Sequence, residues 1–120
     1  MQKRKTAFIQ QMEAAGVCDS RGMAIVVTAA QLPGGEEGLC LLGLQGNVLS
    51  VYDTDMTARV GEKRYSLLLC TVTEMKTSDN SFMEQLRGYS LRLVTGNAVY
   101  AFRNCYQHKG ALAVIRSEVR

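Results

Sequence analysis

The sequence predicts a mainly β protein with helices, of the α+β class: an antiparallel roll or barrel of about seven strands, with an N-terminal helix and a C-terminal helix that caps it. Three observations predict this. Two hairpins are written around one turn dipeptide, Gly46-Asn47 and Gly96-Asn97. Glycine at the first central position of a two-residue loop suits a type II′ turn, whose twist matches that of paired strands. β-rich runs with period-two alternation fill the middle of the chain, and apolar residues at helical spacing mark both ends.

Composition narrows the classes. The 120 residues fit one domain, divided into a helix and linker (1–20), an antiparallel sheet (22–104) and a helix (105–120). Apolar residues make up 47% of the chain, ordinary for a packed core. Gly, Gln or charged residues break every apolar run before the roughly 18 residues a membrane span needs. The first residues, MQKRKTAFIQQMEAAGV, begin basic, but Gln10, Gln11 and Glu13 interrupt any apolar stretch of a signal peptide. A cytoplasmic protein is the expectation. The net charge of +3 is too mild, and its Lys and Arg too scattered, for a nucleic-acid partner. The four cysteines, Cys18, Cys40, Cys70 and Cys105, show no CxxC spacing, and His108 is the one histidine. No metal site or cofactor is expected from them. Cys40 and Cys70 sit inside apolar patterns and read as buried small hydrophobes; reduced thiols are the expectation without a signal peptide, with two disulfides as the alternative.

The elements follow in order. Residues 2–15 place Phe8, Ile9, Met12 and Ala15 on one helical face, and Gly16 is placed to end the helix. Lys3-Arg4-Lys5 lies at the wrong end for the helix dipole and reads as a solvated terminus. Residues 23–30, MAIVVTAA, form the first strand, closed by the turn-rich, acidic QLPGGEEG. Residues 39–53, LCLLGLQGNVLSVYD, form a hairpin with Leu42, Leu44, Leu49 and Val51 on one face and Leu41 and Tyr52 on the other. Both faces are apolar, so cover is expected on more than one side. The polar connector 54–63 holds a short strand around Ala58-Arg59-Val60. Residues 64–76, RYSLLLCTVTEMK, are long for one strand, and a bend near Cys70-Thr71 would make two. SFMEQLR (81–87) is helix-friendly.

The second hairpin, 89–102, pairs Thr95 with Ala98, Leu93 with Tyr100 and Leu91 with Phe102. Tyr89, Leu91, Leu93, Tyr100 and Phe102 then share the inward face, and Ser90, Arg92, Val94, Val99, Ala101 and Arg103 the outward one. Beyond it, Asn104 and Gln107 approximate a capping box. Leu112, Ile115 and Val119 recur at helical spacing with Ala111 and Val114 alongside; the alternative is ALAVI as an extra strand. Gly110 weakens a helix interior, so the helix begins effectively there.

LCLLGLQGNVLSVYD, RYSLLLCTVTEM and YSLRLVTGNAVYAFRN followed by ALAVIRSEV together resemble the pleckstrin-homology superfold, in particular its small bacterial and GRAM-like branches, over residues 23–119. The resemblance implies seven strands closed by the last helix. Members that bind phosphoinositides cluster Lys and Arg in the loop between the first two strands. Here that loop carries Glu36 and Glu37, which would repel a phosphorylated headgroup. A protein partner is the expectation instead, with self-association as a further option.

No catalytic constellation emerges. Cys105 and His108, three residues apart, form the sole nucleophile–base pair, and no oxyanion or glycine-rich signature accompanies them. Asp53, Asp55 and Asp79 are turn acids. The aromatics, Tyr52 and Tyr65 included, read as core rather than a base-stacking platform. The function expected is a non-enzymatic interaction module. The alternatives are a dimeric, secretion-chaperone-like protein, which needs 81–87 helical, and a small Cys/His enzyme.

Overall fold

A computed structural model describes residues 5–78, 89–105 and 109–119, with the side chains of all of them except Asn104, Cys105 and Lys109. The elements are α1 (Ala7–Ala14), β1 (Ala24–Gln31), β2 (Gly38–Gln45), β3 (Val48–Asp53), β4 (Lys63–Leu68), a 3-10 turn (Leu69–Thr71), β5 (Glu74–Thr77), β6 (Tyr89–Thr95), β7 (Ala98–Cys105) and α2 (Lys109–Glu118). The seven strands make one sheet in the order β4-β3-β2-β1-β7-β6-β5. Every neighbouring pair is antiparallel.

Both Gly-Asn hairpins form as their sequences predict. Gln45 faces Val48 and Thr95 faces Ala98. Gly46 and Gly96 take φ of 58° and 54°, while the following asparagines keep ordinary negative φ. That combination is the type II′ turn, which an L side chain at the first position would strain. The predicted pairs Leu93 with Tyr100 and Leu91 with Phe102 are also present; a bulge between Tyr89 and Leu91 then shifts the register.

Residues 64–76 are two strands, because the 3-10 turn Leu69–Thr71 breaks the alternation. Cys70 is exposed as a result, contrary to the expectation of a buried thiol, while Cys40 is buried on β2. The turn rotates its central side chain outward and drives Leu69 into the core. The strand expected around Ala58-Arg59-Val60 is absent. Asp55 instead accepts from the Thr57 amide and hydroxyl, and Ala58 sits at φ 60°. A local side-chain turn has won over strand pairing.

The sheet curls. Laid flat, β4 and β7 would lie four strand spacings apart, about 19 Å. Instead the rings of Tyr65 on β4 and Tyr100 on β7 meet edge to face with centroids 5.7 Å apart. One apolar core accordingly collects side chains from all seven strands, among them Val27, Leu42, Leu49, Leu67, Met75, Leu93 and Phe102. Leu112 and Ile115 of α2 join it, and α2 lies against the Leu69–Thr71 turn. The segment ALAVI is therefore helical, and its apolar stripe fills the interior of the roll. A second, smaller core lies on the other side of the sheet, where Met12, Val17 and Cys18 cover Ala24, Leu41 and Tyr52. This is the two-sided cover that the apolar faces of residues 39–53 predict.

Helix α1 is shorter than the predicted 2–15. Thr6 caps it, its hydroxyl accepting from the Ile9 amide at 3.2 Å. Gly16 follows the last turn as expected. Lys3, Arg4, residues 81–87 and the capping pair's Gln107 lie outside the described residues. Among the described residues no helix is long and apolar enough to cross a membrane.

Candidate functional site

The linker between α1 and β1 positions the site. Gly43 on β2 lets it pass close above the sheet: a Cβ there would fall 2.2 Å from the Val17 carbonyl oxygen. Gln45 donates to the Gly16 carbonyl at 2.6 Å, and the Asp19 amide donates to the Leu44 carbonyl at 3.1 Å. Asp19 then accepts from its neighbour's backbone, Arg21 N–H, at 3.0 Å and from the Gly46 amide at 2.8 Å. Arg21 grips Asp19 with two guanidinium nitrogens, at 2.8 and 3.1 Å. It also donates to the Gly46 carbonyl and, at 2.7 Å, to Glu118 at the end of α2. Two residues of the linker thus tie it to the β2–β3 turn and to α2.

The Asp19 carboxyl is held far below the usual carboxylate range, chiefly by the Arg21 guanidinium and then by the Gly46 and Arg21 amides. Arg21 is raised, first by Asp19 and then by Glu118. Beside them, burial pushes the Cys18 thiol up, and Glu13 and Asp19 add to it. A thiol so placed is a poor nucleophile.

What this frame encloses is a groove of about 570 Å³ between α1, the start of β1 and α2. Phe8 and Ile9 of α1 form one wall, and Ala111 and Val114 of α2 the other, with Ala24 and Val26 as floor. Its volume falls within the several hundred Å³ usual for ligand sites. Among the described lining residues the polar side chains are those of Thr6 and Arg21. Thr6 is engaged in capping α1, and Arg21 is held as described. Lys5, next to Thr6, pairs with Glu13 and donates to the Ser20 carbonyl at 2.8 Å.

A smaller depression of about 190 Å³ lies in the β3–β4 connector, lined by Asp53, Thr54, Asp55, Arg59 and Gly61. Its acids are consumed locally. Asp53 pairs with Arg64 at 2.8 Å, and Asp55 is lowered mainly by the Thr57 hydroxyl and amide. Among the described residues no group of His, Cys, Asp and Glu is placed to hold a metal ion.

The sequence-derived candidates are dispersed. Glu36 accepts from the Tyr65 hydroxyl at 2.6 Å, which in turn accepts from the Gly34 amide at 2.9 Å, so the β1–β2 loop is fastened to β4. Cys105 ends β7, but its side chain and all of His108 lie outside the described residues. Tyr100 and Phe102 are buried in the main core, with Tyr65 and Tyr89 packed against it, and Tyr52 is buried in the second. Sequence reasoning missed the groove and Arg21. One signal was available: Phe8 and Ile9 widen the apolar face of α1 beyond what Met12 alone would bury.

The chain matches no protein-family model and no curated protein.

Proposed function

We propose that this protein is a non-enzymatic binding module of pleckstrin-homology-like arrangement, working in the cytoplasm, which holds its ligand in the groove between α1 and α2. The observation that carries the reading is the chemistry of the lining. Among the described residues its lining includes no Ser, Cys, His, Lys, Asp or Glu, and the two polar members there, Thr6 and Arg21, are engaged elsewhere. Such a lining can hold and desolvate a ligand, and its described residues offer no base or nucleophile to transform one. The strand order and the helix packed into the roll support the arrangement. The acidic β1–β2 loop, with Glu36 fastened by Tyr65, speaks against a phosphoinositide headgroup as ligand.

A protein partner is the second reading, favoured by a separate observation. β4 and β5 are the ends of the sheet, and Leu68 on β4 is 42% exposed. An unpaired edge of this kind accepts an added strand.

Titrating isotope-labelled protein with a library of small organic fragments, followed by amide NMR, separates these readings. The groove reading predicts saturable shifts centred on residues 6–9, 22–26 and 110–114. Shifts confined to β4, or catalytic turnover of a fragment, would refute it.

A further inference from the structure

We propose that the outer face of β6 and β7 is a docking surface for an acidic, extended segment of a partner protein, with Arg92 and Arg103 holding its carboxylates. This goes beyond the groove, since neither arginine lines it. The pairing of the chain's cations points there. Among the described side chains, Lys5, Arg21, Arg59, Arg64 and Lys76 each pair with a carboxylate. Lys63 lies over the Tyr52 ring, and Arg116 donates to the Thr77 hydroxyl at 3.3 Å. Arg92 and Arg103 engage no partner among the described residues.

The two unengaged cations are neighbours. Arg92 faces Ala101 across β6 and β7, and Arg103 lies two residues further along β7. Leu91, Leu93, Tyr100 and Phe102 turn into the core, so both arginines stand on the opposite face, and both are exposed. On β5, Lys76 faces Arg92 directly. Like charges opposite one another weaken a sheet, and Glu74 offsets Lys76 alone, at 3.1 Å. The described part of this face therefore carries positive charge that an anionic partner would relieve.

Number and spacing choose the anion. Duplex DNA carries a phosphate charge about every 1.7 Å, and its binding grows with the number neutralised, so two free arginines gain little from it. A single strand stacks its bases on aromatic side chains, and Tyr100 and Phe102 are buried on the inner face. A membrane surface calls for a cluster of about four to eight basic residues. Two arginines instead match two carboxylates, each taken by a planar guanidinium fork. Diagonal neighbours on adjacent strands lie roughly 7–8 Å apart. Alternate residues of an extended segment project to one side about 7 Å apart. A segment with Asp or Glu at every second position thus sets one carboxylate over each arginine.

The probe is an end-capped octapeptide alternating Glu and Ser, with the alternating Gln and Ser peptide as control. Each is titrated into the isotope-labelled full chain at low ionic strength and followed by amide NMR. Saturable shifts centred on residues 92, 101 and 103 are expected from the Glu peptide and none from the Gln peptide. Arg92→Gln and Arg103→Gln should each weaken binding by roughly threefold, the size of an exposed ion pair, and the double variant by roughly tenfold. Both side chains are exposed, so the variants keep their fold, which circular dichroism verifies before binding is measured. Arg59→Gln removes an equal charge that Asp55 already holds, and it should leave binding nearly unchanged. Shifts centred elsewhere, undiminished binding in the double variant, or an equal loss in Arg59→Gln would overturn the proposal. Tighter binding of a short single-stranded oligonucleotide or of phosphatidylserine vesicles than of the Glu peptide would overturn it too, by assigning the face to a polyanion.

Discussion

Asp19 receives hydrogen bonds from both Arg21 and the β2–β3 turn, and it owes its low pKa to them. The consequence for stability has a definite sign. The folded carboxyl ionises below its unfolded value of about 3.9. Its contribution is therefore complete above that value and is lost as the pH falls through the lower, folded one. Asp19→Asn should cost about 1 kcal/mol near neutral pH, a modest figure because the side chain is 26% exposed and partly screened. Thermal melts across pH should show the gap between wild type and variant constant from pH 7 to about 5 and closing below about 3.9. A gap that widens on acidification would contradict this role. No sequence signal singles out this pair, because a short Asp-Ser-Arg stretch in a linker fits any solvated turn. The partners of the two side chains, the Gly46 backbone and Glu118, come from distant parts of the chain.

At the scale of elements, local chemistry predicts most of what forms. Gly-Asn between alternating runs is enough for each hairpin, since turn type and pleat agree on a single register. The break in residues 64–76 is also legible from strand length, but the side chain that it exposes is not. Cys70 follows the apolar alternation in sequence and leaves it in space, because a 3-10 turn has a different period. Ala58-Arg59-Val60 fails the other way: its β propensity loses to the hydrogen-bonding turn at Asp55. Helix α2 tests the packing directly. Ile115 has no exposed surface and Ala113 is exposed. Ile115→Ala should cost about 2–5 kcal/mol in urea unfolding, and Ala113→Glu should stay within about 0.5 kcal/mol. Equal effects would mean that α2 does not enter the core.

Over the whole molecule, the roll follows from inward faces shared by seven strands, and the sequence pattern anticipates both the strand count and the capping helix. The groove is of another kind. Phe8 and Ile9, Val26, and Ala111 and Val114 belong to segments more than a hundred residues apart at the extremes. They meet because α1 covers the outer side of the sheet while α2 enters the inner side near the same end of β1. Phe8 and Ile9 widen the apolar face of α1, but nothing in the periodicity of α2 encodes the gap between the two helices. The most direct test is intermolecular NOE spectroscopy on methyl-labelled protein with dodecanol added as a probe of the apolar lining. Contacts from the alkyl chain to the Ile9, Val26 and Val114 methyls are predicted. Contacts confined to the exposed Leu39, Met56 or Leu68, or none at all, would contradict the groove as the site where this protein binds.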